Sequence, residues 1–212
     1  MKGVSRRSVI GIAAGAVASG VVGAKARSNG EFAGEKAGPE PDRPAAGQTD
    51  SIYKFRMGKA PVHRYGESSI REHKLHDFPI SASISASLID LSAGDLREPH
   101  WHPNSDEWLF VMAGEIRMTI VDGQGVPSLF DCGPEDVAFV PQGFGHYVEN
   151  VGGMTAKLML IHNHAEFTTV NLSEWVAGGS TGVFASTLNM PRQAFGDAPK
   201  ERVFIGKKRA KG

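Results

Sequence analysis

Cysteine is almost absent from this sequence, in which Cys132 is the only one among 212 residues. A single cysteine excludes a disulfide within the chain, so stability has to come from packing and from any metal ion that the chain binds. A lone cysteine is more often a small apolar side chain than a catalytic thiol. We therefore expect Cys132 to be buried and unreactive.

An excess of charge of either sign is also missing. The chain has 23 basic and 23 acidic residues, and without a basic surplus there is no reason to expect a nucleic acid partner. Beyond residue 26, the sequence contains no apolar run long enough to span a membrane. With 41% hydrophobic and 22% charged residues, the composition is that of one globular domain with a sizeable core.

The one long apolar run lies at the N-terminus and follows a pair of arginines. Residues 5–10 read SRRSVI, the run continues as GIAAGAVASGVVG, and the next three residues, AKA, fit the small-x-small cleavage pattern. We predict a twin-arginine signal peptide over residues 1–26 and a periplasmic or secreted mature chain. That chain would carry a net charge of −4, because four basic and no acidic residues lie in residues 1–26. An uncleaved N-terminal membrane anchor is the alternative, although the run is shorter than the roughly 20 strongly apolar residues that span a bilayer.

Composition divides the rest of the chain into three parts. Residues 27–50 are rich in Gly, Pro, Ala and charge without periodicity, which predicts a flexible linker. In residues 51–170, Gly and Pro separate strand-length runs, which favours an antiparallel sandwich or small barrel; the runs are SISASLIDL, EWLFVM, EIRMTIVD, DVAFVP, GHYVENV and AKLMLIHN. Residues 171–212 show helical spacing after an N-cap at Asn171 or Ser173, which predicts a helical tail with a frayed basic end, GKKRAKG. No internal repeat is present, which excludes a tandem two-barrel chain.

Residues 97–108, REPHWHPNSDEW, contain the strongest candidates for a metal site. In an extended strand, His100 and His102 point to the same face. Glu107 begins the next apolar run after a turn, so a hairpin can return its carboxylate to the two histidines, and His146 follows a glycine-rich turn that can aim its imidazole the same way. Three imidazoles and one carboxylate would hold a divalent ion with about two open positions, which are more often catalytic than structural. The other histidines are expected to be ordinary surface or core residues: His63, His73, His76, His162 and His164.

These residues carry a family resemblance. One set matches the first cupin motif, G-x5-H-x-H-x4-E-x6-G, at every spacing: Gly94, His100, His102, Glu107 and Gly114. Another set matches the second motif, P-x-G-x2-H-x3-N: Pro141, Gly143, His146 and Asn150. Glu135 replaces the glycine that usually opens this second motif. With R-E-x-H-W-H, H-P-N, GHYVEN and L-S-x-W, the stretch from Tyr53 to Trp175 resembles one domain of the two-domain oxalate decarboxylases.

The resemblance implies an all-β cupin β-barrel, also called a double-stranded β-helix or jelly roll, over residues 51–170, with a short C-terminal helical tail. It implies Mn²⁺ on the four motif residues, dioxygen as co-catalyst, and oxalate as the substrate that yields formate and carbon dioxide. It places Arg97 beside the metal as the group that holds a carboxylate, and Glu166 on a lid loop as the general acid and base, with His164 as an alternative. The ligand types alone leave Fe, Co, Ni, Cu and Zn open, whereas export of an already folded and loaded protein favours Mn.

Two alternatives to the decarboxylase stay open from the sequence. An oxalate oxidase that produces hydrogen peroxide would follow if Glu166 did not reach the metal pocket. A non-catalytic cupin that binds a metal or a small acid belongs to a different class, which intact ligands disfavour. A homo-oligomer is plausible, because small barrels cover exposed sheet edges by pairing, with the strand near Tyr53 or the helical tail as the contact.

Overall fold

The computed structural model describes residues 51–195 and 198–208, so the predicted signal peptide (1–26) and linker (27–50) lie outside the described residues. The strands in this part of the chain are β1 (His63–Tyr65), β2 (Ser68–His73), β3 (Ser85–Leu91), β4 (Asp95–Trp101), β5 (Glu107–Ala113), β6 (Ile116–Val121), β7 (Pro127–Cys132), β8 (Val137–Val140), β9 (Gly145–Asn150), β10 (Ala156–His162), β11 (Val170–Asn171) and β12 (Ile205–Lys207). The helices are α1 (Leu172–Gly178) and α2 (Thr181–Leu188), with 3-10 turns at Met57–Lys59 and Arg192–Phe195. None of these helices has the length and apolar character needed to cross a bilayer.

The strands form two antiparallel sheets. One has the order β1-β2-β3-β10-β5-β8, and the other has the order β11-β4-β9-β6-β7, with β12 also paired to β4. This arrangement confirms the predicted all-β jelly roll with a short helical tail. No ladder joins the two sheets into a closed barrel within the described residues.

Along β5 and β10, the inward-facing side chains change from apolar at one end of the interior to polar at the other. Leu158 of β10 lies opposite Val111 of β5, whereas His162, four residues further along β10, lies opposite Glu107. The apolar end contains the fully buried side chains Leu91, Leu109, Val111, Ile116, Met118 and Leu158, each of which stabilises the fold by about 1.5–3 kcal/mol. The same strands therefore supply the core at one end and polar groups at the other.

Cys132 lies in this core, as predicted from its isolation in the sequence. Burial is the main cause that raises the pKa of its thiol above the ordinary value, with the nearby Asp136 and Asp131 adding to the effect. A thiol that holds its proton is a poor nucleophile. The structure thus agrees with an apolar packing role.

Two turns contain positions where the cupin motifs usually have glycine, Gly114 and Glu135. Gly114 has a φ of +82°, and a Cβ there would lie 2.6 Å from the Cα of Ala156, so only glycine fits. Glu135, which replaces the glycine of the second motif, adopts a φ of 72°. This left-handed conformation costs roughly 1 kcal/mol for a residue with a Cβ. Its N–H donates to the carbonyl of Val111 at 2.9 Å, so the turn persists.

The C-terminal segment contains the predicted helices and one strand that the sequence prediction missed. Asn171 precedes α1 and forms a capping box with Glu174, whose carboxylate accepts from the Asn171 N–H. The predicted frayed end was wrong in part, because Ile205–Lys207 form β12, which pairs with Asp95, Leu96 and Arg97 of β4. Ile205 is buried there, and β12 pairs with the part of the β4 edge that β11 does not cover. Residues 209–212 lie outside the described residues.

Candidate metal centre

The fold brings the four motif residues together at the polar end of the interior. His100 lies on β4 opposite His146 of β9, His102 follows β4 directly, and Glu107 is the first residue of β5. All four side chains are buried, and one possible ligand atom from each lies within 4.8 Å of the others. The four residues that the motif spacing predicted to lie together therefore do so in the fold.

A bulge in β4 adds Arg97 to the same face. The pairing of β4 with β9 shifts register between Arg97 and His100, so two residues three apart both point inward. Pro99, between them, is exposed. The register shift therefore brings Arg97 to the face that carries His100.

Hydrogen bonds to carbonyl groups orient all three imidazoles. The Nδ1 atoms lie 2.7 to 3.1 Å from backbone oxygens, with the pairs being His100 and Glu98, His102 and Thr168, and His146 and Phe144. Because a carbonyl oxygen only accepts, each Nδ1 must carry the hydrogen, and each neutral ring then presents a lone pair at Nε2. The Nε2 atoms of His102 and His146 lie 2.9 and 3.3 Å from Oε2 of Glu107.

Electrostatics make this cluster suitable for a cation. Burial opposes the ionisation of Glu107, but attraction to His146 and hydrogen bonds with His102 and His146 hold its pKa well below the usual value. Burial, and secondarily the charge of Arg97, lowers the pKa of His100 well below 6.5. Oε1 of Glu107 is buried and has no hydrogen-bond partner within the described residues. A metal ion here would balance the carboxylate and give Oε1 of Glu107 a partner.

The donor set fits a divalent transition ion. Three nitrogens and one oxygen suit Mn, Fe, Co, Ni, Cu or Zn, and bonds of about 2.0 to 2.2 Å would require only a small contraction of the cluster. The Oε1 atom of Glu107, which has no hydrogen-bond partner in the described residues, and the Nε2 lone pairs of the three imidazoles are suitable donor atoms for such an ion. The residues present thus fit the metal that the motif implies.

The cluster opens into a cavity of about 400 Å³ that Arg97 also lines. The guanidinium is buried, and burial is the main cause that lowers its pKa to about 10, so it stays charged near neutral pH. Its Nη1 donates to the carbonyl of Phe204 at 3.1 Å, and its Cζ lies 3.8 Å from the centre of the Phe204 ring. The charged guanidinium of Arg97 thus faces the same cavity as the metal cluster, that is, the side chains of His100, His102, Glu107 and His146.

Glu166 lies outside this cavity. Its side chain is exposed, its carboxylate is 4.0 Å from Nδ1 of His76, and its N–H donates to Nδ1 of His164. The next residue, Phe167, is buried and stacks on His162 with ring centres 3.8 Å apart. In this conformation Phe167, rather than Glu166 or His164, faces the cavity. For Glu166 to act on a bound substrate, the segment has to turn.

His162 is a site residue that the sequence reasoning missed. It is buried beside the cluster, with its ring centre 4.6 Å from that of His102, and burial is the main cause that lowers its pKa to about 4. Its Nδ1 lies 3.4 Å from Oγ of Ser105. Alternation along β10 could have placed it, because His162 has the same parity as the inward Leu158 and Leu160. The hydroxyl of Thr169 lies 3.1 Å from Nδ1 of His102, and no sequence pattern predicted this contact.

Comparison with known proteins agrees with this geometry. The sequence model of the cupin family matches residues 59–192. A probable oxalate decarboxylase of Arthroderma benhamiae is 30% identical over 159 residues, which are 74% of this chain and 39% of that protein. The oxalate decarboxylase of Bacillus subtilis is 36% identical over 101 residues, which are 48% of this chain and 26% of that protein.

Solved structures give the same result. A structure of Bacillus subtilis oxalate decarboxylase, a protein with Mn(II) centres, superposes with a TM-score of 0.70 at 27% identity and covers 73% of this chain and 41% of that chain. The chain thus spans about two fifths of the length of the structure it matches. The resemblance to oxalate decarboxylases is confirmed, and with a family match over more than half of its length this chain belongs to the cupin family.

Proposed function

We propose that this chain is an exported, Mn²⁺-dependent oxalate decarboxylase that converts oxalate into formate and carbon dioxide. The observation that carries the proposal is the buried cluster of three imidazoles and one carboxylate that opens, together with Arg97, into one cavity. The similarity to oxalate decarboxylases supports the substrate, and the Mn(II) centres of the Bacillus subtilis enzyme support the metal. The twin-arginine pattern in residues 1–26 supports export.

The residues that would hold the ion are His100, His102, Glu107 and His146. When bound, the ion supplies Lewis acidity and, with dioxygen, the one-electron chemistry that weakens the carbon–carbon bond of oxalate. Arg97 would bind one carboxylate of the substrate with its planar fork and stabilise the negative charge there. Before Glu166 turns inward, Phe167, which stacks on the buried His162, would keep water out of the cavity.

The reaction needs one proton to move from oxygen to carbon. Hydrogen oxalate loses carbon dioxide, and the remaining carbon has to receive the acid proton to become formate. Glu166 would accept the proton from the substrate's acid group and return it to that carbon. Because Glu166 is exposed, the segment that carries it would have to turn inward, with Phe167 moving aside.

One observation favours a second function, oxalate oxidase. In this reaction oxalic acid and dioxygen give two molecules of carbon dioxide and one of hydrogen peroxide, so no proton is delivered to carbon. The position of Glu166 outside the cavity fits this outcome. The segment containing Glu166 and Phe167 therefore decides between the two reactions.

The test is a product balance on the Mn-loaded chain with carbon-13 oxalate at mildly acidic pH. The decarboxylase predicts one formate and one carbon dioxide for each oxalate, with no net uptake of dioxygen. The oxidase predicts two carbon dioxide molecules, one peroxide and one dioxygen consumed. Turnover to neither set of products, in a chain with bound metal, would overturn the oxalate assignment altogether.

Glu166→Gln is expected to separate proton delivery from the other steps. Removing a positioned acid and base typically slows its step about 10²- to 10⁴-fold, so formate production should fall by at least about 100-fold while peroxide rises. The matched control is Glu135→Gln, an exposed acid in a turn away from the cavity, which should keep the wild-type product ratio. Formate production that survives Glu166→Gln would assign the proton to another group, with His164 as the next candidate.

A further inference from the structure

The C-terminal strand lies directly against the part of β4 that carries Arg97. In the pairing of β12 with β4, Ile205 lies opposite Arg97 and Lys207 lies opposite Asp95. The preceding residue, Phe204, lines the cavity that contains the metal cluster. A segment about 100 residues away in sequence therefore forms one wall of the site.

Hydrogen bonds of the backbone groups of Phe204 with Arg97 and Glu98 hold it against the bulge of β4. Its carbonyl accepts from the Glu98 N–H at 3.0 Å and from Nη1 of Arg97 at 3.1 Å, and its own N–H donates to Oε1 of Glu98 at 2.6 Å. Phe204 adopts a φ of 61°, which is rare for a bulky residue and persists only where the surroundings hold it. These three bonds supply that restraint, so the position of Phe204 is tightly defined.

The Phe204 ring holds the arginine on its face. Its centre lies 3.8 Å from Cζ of Arg97 and 4.9 Å from the centre of the Tyr65 ring, with which it stacks at an interplanar angle of 24°. The contact with Arg97 is a cation–π interaction in a buried setting, where such contacts are strongest. Stacking on Tyr65 keeps the ring from turning, and the ring in turn limits where the guanidinium can lie.

Glu98 connects Phe204 to the start of α1 through hydrogen bonds. Its buried carboxylate accepts from the N–H and hydroxyl of Ser173, at 2.9 Å each, in addition to Phe204. The Ser173 hydroxyl also accepts from the N–H of Val203 at 3.0 Å. The start of α1, the bulge of β4 and the C-terminal strand thus form one connected unit around Arg97.

We propose that Phe204 is a positioning residue that fixes the guanidinium of Arg97 for carboxylate binding, so that the C-terminal strand is part of the site. This inference rests on the proposed role of Arg97 in binding a substrate carboxylate. Phe204 itself acts through Arg97. Neither the cupin motifs nor the other sequence patterns assign it a role.

The kinetic test compares Phe204→Leu, Phe204→Tyr and the control Phe130→Leu. Phe130 is partly buried and packs on the same core, but it does not line the cavity. Phe204→Leu should raise KM for oxalate about tenfold with a smaller change in kcat, because it removes the cation–π contact but leaves the backbone bonds in place. Phe204→Tyr retains the ring and should keep KM within about twofold of wild type. The bound manganese should stay the same in all variants, and an unchanged KM in Phe204→Leu, or an equal rise in Phe130→Leu, would overturn the proposal.

A second measurement is independent of turnover. In the metal-free chain, the Arg97 Nε–H resonance should show an upfield ring-current shift from Phe204, which Phe204→Leu removes and Phe204→Tyr retains. If this pattern is observed while the wild-type chain does not act on oxalate, the positioning role stands and the proposed function fails. If Phe204→Leu leaves the resonance where it was, the positioning role fails whatever the activity. Should Phe204→Leu not fold, the wild-type nuclear Overhauser contact between the Phe204 ring and Nε–H of Arg97 decides, and its absence would contradict the proposal.

Discussion

Glu107→Gln is expected to abolish metal binding without unfolding the chain. The substitution keeps the shape of the side chain but removes the one negative charge among the three imidazoles. The new amide can donate a hydrogen bond to the Nε2 lone pair of His102 or His146, which lie 2.9 and 3.3 Å from the present carboxylate oxygen. Loss of a group that merely supports a metal ligand lowers affinity 10- to 100-fold, so loss of the ligand itself should lower it by at least about 100-fold.

Metal content and thermal unfolding measure this effect directly. Free Mn²⁺ at 100 times its dissociation constant should stabilise the wild-type chain by about 2.7 kcal/mol, and this increment should vanish in Glu107→Gln. The metal-free variant should still fold, because the amide keeps the side-chain shape and can donate to His102 or His146. It should unfold somewhat earlier than the metal-free wild type, because the interactions that lower the pKa of Glu107 also stabilise the folded chain. Glu115→Gln, at an exposed acid of the same kind, is the control that should keep the wild-type response. Full manganese binding by Glu107→Gln would place the ion elsewhere.

Arg97→Lys is expected to lower kcat/KM for oxalate by about 10²- to 10³-fold while bound manganese is unchanged. Removal of one donor that stabilises developing negative charge typically has an effect of this size. Lysine keeps the positive charge but loses the planar fork and the contact with the Phe204 ring, 3.8 Å away. The result therefore separates directed carboxylate binding from attraction by charge alone.

Arg117→Lys provides the comparison. Arg117 is partly exposed on β6 and pairs with Asp131 through Nε at 2.7 Å and Nη2 at 2.9 Å. The same substitution there also breaks a two-point contact with a carboxylate, but away from the cavity, so activity should not change. Activity within a few fold of wild type in Arg97→Lys would mean that this arginine only stabilises the fold.

The metal cluster could be predicted because its geometry is mostly local. Alternation places His100 and His102 on one face of a strand, and the short turn to Glu107 limits where that carboxylate can go. His146 was placed by the second motif, and in the structure it lies opposite His100 in the register of β4 with β9. Strands with clear apolar runs, such as β5, β6 and β10, were predicted for the same reason.

Features that depend on distant contacts could not be predicted. β12 exists because the edge of β4 accepts a strand from about 100 residues away, and nothing in GKKRAKG indicates this pairing. β2 and β7 lack a continuous apolar run, since SSIREH and PSLFDC mix polar and apolar residues, and they were missed. The placement of Phe167 inside and Glu166 outside the cavity depends on packing against His162, a residue on another strand.

Export through residues 1–26 and formation of a homo-oligomer stay predictions. The first depends on residues outside the described part of the chain, and the second depends on a contact between copies. The roles of Arg97 and Glu166 likewise await the variants described above.

The measurement that tests the central claim most directly is electron–nuclear double resonance on the Mn(II)-loaded chain with nitrogen-15 in its histidines. A site built from His100, His102, Glu107 and His146 predicts one ion per chain, with hyperfine coupling to three imidazole nitrogens. Oxalate labelled with carbon-13 should then add a coupling at an open position. An ion coupled to fewer than three imidazoles, or binding well below one ion per chain, would contradict the account.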